Sequence, residues 1–336
     1  MAVSVIVSNM NGMAYLPRLL ETLRNQKSTK IQIIVVDRKS VDNSFQYLAS
    51  DKNLIVIQEP PETGLVSGYA AGVSYACHDH LFFCNEDMWF NPDCLRLLEE
   101  KINYSAGMVA ADPWQWTYDG RNLIHAGTRF APAIWNFLCP YPFRRYLFSE
   151  TVQSGDLVPF PCAGAFMIHR KAYDDVGGWD KSFFLDHEDV DLFIRIWQLG
   201  YKCVSVPEAH VFHAVGASNL QTIPVTNTPV RRRRFISGQA SVAIIGIKYF
   251  TGWMKIYSFL FPFMCVMKEI VRLRLRFIWL NILAALEFFQ RIGPANRFRN
   301  EWLRNKKVRS GQLFFVDPHF NISIKHKLDR IKHPPM

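Results

Sequence analysis

No two of the seven cysteines (77, 84, 94, 139, 162, 203 and 265) stand in a Cys-x-x-Cys pair, and several lie inside apolar runs such as "LFFCNED" and "PFPCAGAF". That pattern argues against a disulfide framework and predicts reduced core thiols in a cytosolic protein. Long apolar runs are missing as well. The nearest is "IYSFLFPFMCVM", Ile256 to Met267, which contains Pro262 and is bracketed by Lys255 and Lys268. It is too short to span a bilayer and suits a segment lying at an interface. The first residues carry no basic leader, and "VSVIVS" from Val3 to Ser8 already reads as a strand, so no export is expected. Neither G-x-G-x-x-G nor G-x-x-x-x-G-K-[ST] occurs, which speaks against a dinucleotide fingerprint and a P-loop. There is no internal repeat and no low-complexity tract.

Negative charge is the scarcer sign. Asp and Glu total 29 against 39 Lys and Arg, a net charge of +10, and the excess crowds into the C-terminal third, at Arg231–Arg234 and at Arg272, Arg274 and Arg276 among aromatics. Such asymmetry points to phosphates or a membrane surface.

The first hundred residues alternate strand and helix signals. Apolar runs at Val3–Ser8, Ile31–Asp37, Leu54–Gln58 and Leu81–Cys84 are separated by helical stretches at Ala14–Asn25, Phe45–Ser50 and Val66–Cys77. Alternation of this kind predicts a parallel sheet covered on both faces. A helix through "PDCLRLLEEKI" and a strand at "GMVAADP" follow, then an irregular aromatic region from Trp114 to Ser154. Regular structure resumes at "CAGAFMIH", with helices at "RKAYDDVGG" and "VDLFIRIWQLG", a last strand at "YKCVSVP", and "EAHVFHAVGAS" trailing from it.

Four strand ends present polar residues to one edge: "SNMNG" with Ser8 and Asn9, "DRKSVDNS" with Asp37 and Ser40, "EPPETG", and "NEDMW" with Asn85, Glu86 and Asp87. In doubly wound sheets the ligand crevice forms there. Asp37 with Ser40 suits a base and ribose, although an ordinary Asx or Ser capping loop has the same composition. Gly64, Gly68 and Gly72 let a helix approach a diphosphate, or merely pack closely. The carboxylates of "NED" supply hard oxygen ligands for Mg²⁺ or Mn²⁺, against the blander reading of a solvated turn. Asp186, His187, Glu188, Asp189 and Asp191 crowd one helix start. First-turn acids suit the helix dipole, but this many repel one another and call for a compensating cation or substrate. One of them could serve as general base. His210 and His213 flank an apolar pair, and either is a structural residue or a metal ligand.

Together these stretches resemble family 2 glycosyltransferases, in particular a rhamnosyltransferase-like branch. "VSVIVSNMNG", "IIVVDRKSVDNS", "ETGLVSGYAAGVSYA", "CNEDMWFNPD" and the long "CAGAFMIHRKAYDDVGGWDKSFFLDHEDVDLFIRIWQLGYKCVSVPEAHVFHAVGAS" carry the likeness, over roughly residues 3 to 218. It implies a GT-A-type, Rossmann-like, mostly parallel α/β sheet with helices on both faces, plus a mainly helical C-terminal extension. By the same likeness, Ser8, Asn9, Asp37, Ser40, Gly64, Ser67, Asn85 and Glu86 would line the nucleotide-sugar site. Asp87 and His213 would hold Mn²⁺ or Mg²⁺, and Asp189 would be the catalytic base beside Glu188, with Asp191 supporting the helix start. Asn85 departs from a strict DxD motif, Glu86 replaces a usual Pro, and Arg38 follows the nucleobase Asp; these departures bear on the donor sugar and base.

The expected protein is thus a metal-dependent inverting transferase. It would move a sugar, such as rhamnose from dTDP-rhamnose, to a polysaccharide or lipid-linked glycan acceptor. A catalytically inactive GT-A-like scaffold is the alternative. Residues 1–225 would form the catalytic domain, split near 115 into nucleotide-sugar and acceptor halves. Residues 226–336 would be a basic, aromatic helical region whose Trp253, Phe259, Phe261, Phe263 and Trp279 enter the headgroup boundary of an anionic membrane, on the cytoplasmic side. A helical layer packed on the catalytic domain is the plainer reading. Nucleic acid is not an expected partner, since no reading module accompanies the Arg run.

Overall fold

The computed structural model describes residues 2–27, 30–60, 64–132, 143–147, 153–214 and 229–305, with backbone only at 128–132 and 143–147. The strands are β1 (Ala2–Asn9), β2 (Lys30–Asp37), β3 (Leu54–Gln58), β4 (His80–Asn85), β5 (Met88–Phe90), β6 (Met108–Thr117), β7 (Leu123–His125), β8 (Thr128–Pro132), β9 (Phe143–Leu147), β10 (Ala165–His169) and β11 (Lys202–His213). The helices are α1 (Leu16–Arg24), α2 (Ser44–Ala49), α3 (Gly64–Val73), α4 (Cys94–Lys101), α5 (Arg170–Asp175), α6 (Glu188–Gln198), α7 (Pro229–Tyr249), α8 (Gly252–Val271) and α9 (Leu275–Arg304).

The main sheet runs β3-β2-β1-β4-β10-β6-β11-β5, with β7 on β6. β1 lies parallel to β2 and β4, β2 to β3, and β6 to β11, as expected of β-helix-β alternation. β10 runs antiparallel to both its neighbours, β4 and β6, and β5 runs antiparallel to β11, so the sheet is mixed rather than uniformly parallel. Two further expectations change. The region from Trp114 is not wholly irregular: β6 continues to Thr117, pairs with β7, and is followed by the β8–β9 ribbon. The last strand does not stop near Pro207 but runs on to His213, through a register irregularity between Val206 and His210.

β1 is buried along nearly its whole length, which is why it reads as an unbroken apolar run. α1 instead buries Leu16, Leu19, Leu20 and Leu23, the one-sided spacing of an amphipathic helix. α3 packs so tightly that a Cβ at Gly72 would lie 2.5 Å from Ile6 Cγ2, so only glycine lets it rest on the sheet there. None of the six described cysteines is in a disulfide; Cys84, Cys94, Cys203 and Cys265 are buried, while Cys77 is exposed and Cys139 lies outside the described residues.

Helices α7–α9 share one apolar core with α3, α5, α6 and the sheet face beneath them, including Phe83, Phe166, Phe193, Ile244, Phe261 and Phe288. The boundary expected near residue 225 falls at 215–228, outside the described residues. A buried charge cluster locks α6 to α7. The Asp191 carboxylate accepts from Arg195 Nη2 at 2.6 Å, Tyr249 Oη at 2.6 Å and Lys248 Nζ, while Arg195 also donates to the carbonyls of Val176 and Gly178. Lys248 bonds Asp180 as well, at 2.9 Å. Among the described residues no helix is long and apolar enough to cross a membrane.

Removing one partner of a buried ion cluster leaves charge stranded, so Lys248→Met should destabilise the protein by about 3 kcal/mol in urea unfolding. Burial alone would raise Asp180, but the Lys248 ammonium outweighs it and holds the carboxyl well below its usual range. A depressed carboxyl contributes fully above the unfolded value of about pH 4 and loses that contribution as pH falls below it. Asp180→Asn should therefore flatten the acid limb of the stability curve, and an unchanged limb would contradict the pairing.

Candidate active site

The ends of β1, β2 and β4 are level. Ser8 pairs in register with Asn85, and Asn9 with Asp37. Asn9 Nδ2 donates to Asp37 Oδ1 at 2.7 Å and to Ser40 Oγ at 3.1 Å; Ser40 donates to Asp37 through both its hydroxyl, 2.6 Å, and its backbone N–H, 3.1 Å. Asp37 thus holds the β2 loop shut, the capping reading of that segment, and does so without excluding a ligand contact. Three buried polar atoms beside it, Ser8 Oγ, Asn9 Oδ1 and Arg38 Nε, have no partner among the described residues. Leaving such groups unpaired is costly, so they mark a place where a polar ligand would be welcome. Ser67 stands on the first turn of α3 next to Gly68, where an added Cβ would sit 3.3 Å from Ser8 Oγ. Gly64 opens that helix at φ 78°, and Leu65 N–H bonds the Phe184 carbonyl.

Asn85 Oδ1 accepts from the Tyr69 hydroxyl at 3.0 Å, and its N–H donates to the Gly164 carbonyl. Glu86 lies against Asn9 and Gly12; burial, with the Asp87 charge next to it, pushes its carboxyl up to about 7 against the pull of Arg38. Met88 and Phe90 are buried in β5, so the apolar residues after the acids seat this turn in the core. Because β5 pairs with β11, Met88 opposite His213, two residues 126 positions apart meet: Asp87 Oδ1 lies 3.1 Å from His213 Nε2.

His213 Nδ1 faces Gln115 Oε1 at 3.3 Å. Each ring nitrogen thus has a polar neighbour, Gln115 holding the orientation of the imidazole while Nε2 faces the Asp87 carboxylate. Among the described residues no trio of His, Cys, Asp or Glu could hold a metal. One carboxylate and one imidazole fit a hard divalent ion whose remaining positions are filled by phosphate oxygens and water. His210, three residues back on the same strand, points to the other face and packs edge-on against Trp116 and Phe212, so it has a structural place.

On the other side, Asp189 at the first turn of α6 accepts Ala163 N–H at 3.3 Å and Val190 N–H at 2.8 Å, and is 3% exposed; Glu188 is also buried. The Tyr69 hydroxyl is 3.2 Å from the Ala163 carbonyl, and Gly164 packs against Met88 and Gln115. Residues 163–164 therefore link Asp189 to both Asn85 and the Asp87–His213–Gln115 group. The rest of the acidic cluster is engaged elsewhere. Asp186 pairs with Arg234 at 2.8 Å and Asp191 with the α6–α7 cluster, so the compensating cations are this chain's own.

Residues 4–177 match the profile of glycosyl transferase family 2, and residues 142–290 that of glycosyl transferase family group 2. The chain belongs to glycosyl transferase family 2. This family 2 chain is 26% identical over 217 residues to the uncharacterized glycosyltransferase YwdF of Bacillus subtilis, covering 64% of the chain and 74% of that protein. It is also 26% identical over 226 residues to rhamnosyltransferase WbbL of Escherichia coli, covering 63% and 83%. Its fold is similar to that of GalNAc-T7, solved with UDP, GalNAc and Mn²⁺, at a TM-score of 0.59 and 16% identity, over 90% of this chain and 55% of that one. The fold is of the GT-A type, as the sequence resemblance implies.

Four residues of this region escape sequence reading as site candidates. Gln115 sits in the aromatic stretch whose sequence predicts irregular structure, and Tyr69 in a helix that stands out only for its small residues. Asp112 and His125, paired at 3.0 Å, lie on β6 and β7. An acid inside the apolar run "GMVAAD" was the available signal for Asp112. A Cβ at Gly12 would lie 2.4 Å from Asn9 Oδ1 and 2.7 Å from Glu86 Cγ. Gly12→Ala should therefore cost about 1–3 kcal/mol in urea unfolding through overpacking; no loss would mean that Asn9 and Glu86 do not close over this loop as described.

Proposed function

We propose that this family 2 glycosyltransferase inverts the anomeric centre of a nucleotide sugar, such as dTDP-rhamnose, while transferring it to a hydroxyl of a polysaccharide or lipid-linked glycan. The observation that carries this reading is the pairing of Asp87 with His213, linked through residues 163–164 to Asp189. The nucleoside occupies the level strand ends, where Ser8 Oγ, Asn9 Oδ1 and Arg38 Nε offer one acceptor-or-donor, one acceptor and one donor to base, ribose or phosphate. Asp37 and Ser40 keep that loop in shape, and Gly64 and Ser67 at the start of α3 face the diphosphate with backbone N–H groups. Asn85 and Glu86 flank the donor.

Asp87 and His213 hold a divalent metal, Mn²⁺ or Mg²⁺, with Gln115 fixing the His213 ring. When bound, the ion supplies charge neutralisation for the departing diphosphate. Asp189 accepts the proton of the attacking hydroxyl. The new bond from that oxygen to the anomeric carbon forms as the bond from carbon to phosphate oxygen breaks on the opposite face. Glu188 stands beside Asp189 at the start of α6. WbbL supports the rhamnosyl donor, and GalNAc-T7, solved with UDP and Mn²⁺, supports a nucleotide and a metal in such a fold. Work on lipid-linked glycans would place the protein at the inner face of the cell membrane.

A general base contributes roughly 10²–10⁴-fold. Asp189→Asn should lower transfer from the donor to a soluble acceptor analogue by about 10³-fold while leaving nucleoside diphosphate affinity within about twofold of the wild type by calorimetry. Full activity in that variant would remove Asp189 from the chemistry.

A further inference from the structure

Opposite the face that α8 and α9 bury against the rest of the protein, the two helices leave a continuous apolar surface. On α8 it comprises Trp253, Ile256, Leu260, Phe263, Met267 and Ile270, spaced three and four apart along one stripe, all exposed. Leu275, Trp279, Leu286 and Phe289 continue it on α9, four, seven and three residues apart and so on one helical face. The opposite sides are in the core: Phe261, Cys265 and Glu269 on α8, Leu280, Ala284 and Phe288 on α9. Phe259 and Phe263 touch Phe289 edge-on, so the two stripes form one surface. A patch of this extent is uncommon on a protein that meets only water.

The joint between the helices explains "VRLRLRF". Its period-two alternation fits neither helix because Arg272–Arg274 is the turn itself, with Leu273 at φ 53°. Leu273 is 84% exposed and Leu275 78%, and Arg272, Arg274 and Arg276 are exposed around them. Between residues 252 and 286 the sequence carries five cations, Lys255, Lys268, Arg272, Arg274 and Arg276, and a single acid, Glu269. That acid is buried and bonded to Arg274 at 2.6 Å and Lys268 at 3.2 Å, so among the described residues of this stretch no carboxylate is exposed beside the apolar side chains and the cations.

We propose that the α8–α9 hairpin lies in the plane of an anionic lipid bilayer, its stripe among the upper acyl chains, the Leu273–Leu275 tip inserted and the flanking Lys and Arg at the phosphates. The charge selects this occupant over a second copy of the chain, because self-association through this face would set the exposed Arg272, Arg274 and Arg276 of one copy against those of the other with no exposed acid of this stretch between them. A lipid surface offers hydrocarbon and negative charge together. The helices cannot cross, since their inner faces are committed to the protein core. The inference deepens the membrane-surface reading above, and is tested without donor or turnover, so its failure leaves the catalytic reading standing.

The test is co-sedimentation of the full chain with vesicles of phosphatidylcholine alone or mixed with phosphatidylglycerol. Binding should be strong only with the anionic lipid and weaken in high salt. Ile256→Glu with Leu260→Glu should reduce it at least roughly tenfold with an unchanged melting temperature, because both positions are exposed. Arg272→Glu with Arg276→Glu should lower binding to the anionic vesicles specifically. Absence of sedimentation, or equal binding by the stripe variant, would overturn the proposal. So would a dimer, seen by light scattering, that the stripe variant dissolves while vesicle binding is nil.

Discussion

Everything at the site depends on strand register. β1 is hydrogen-bonded on both sides, to β2 and β4, and the pairings set Asn9 level with Asp37 and Ser8 level with Asn85. A slip of one residue in either pairing would exchange the two faces of a strand and scatter these polar ends into the core. The same dependence governs the second half of the site. Only the antiparallel pairing of β5 with β11 carries Asp87 to His213, and only the placement of β10 between β4 and β6 carries residues 163–164 between that pair and Asp189.

Buried charge does a different job on the other side of α6. Asp191 is fully buried and ringed by Arg195, Lys248 and Tyr249, while Asp189, two positions earlier, accepts the N–H groups of Ala163 and Val190. The cluster is not needed for stability in itself, since apolar residues could fill that volume. What it supplies is geometry: it fixes the start of α6, and hence Asp189, relative to α7.

Much of this was legible in the residues. The β1–β4 alternation, the polar strand ends and the acidic start of α6 follow from local pattern, because period and turn chemistry are local properties. Three things were not. The antiparallel strands β5 and β10 carry no sign of direction in so few residues. The extension of β11 to His213 was hidden by Pro207, Glu208 and Ala209, which read as a strand's end but form an irregularity the strand passes through. The fate of Arg231–Arg234 depended on partners far away: Arg234 meets Asp186 and Arg233 meets Glu287, so a run that suggested an anionic partner is in part a set of internal ion pairs. The expected membrane residues divide likewise, with Phe261 buried and Trp253, Phe259, Phe263 and Trp279 exposed, because helical rotation sorts them.

The central claim is that Asp87 and His213 form one cation site for the donor's diphosphate. It is tested most directly by titrating Mn²⁺ into the full chain with a nucleoside diphosphate and following the loss of the free-ion signal by electron paramagnetic resonance. The account predicts tight, nucleotide-dependent uptake that weakens at least about tenfold, or ~1.4 kcal/mol, in both Asp87→Ala and His213→Ala. Equal Mn²⁺ affinity in the wild type and both variants would contradict it.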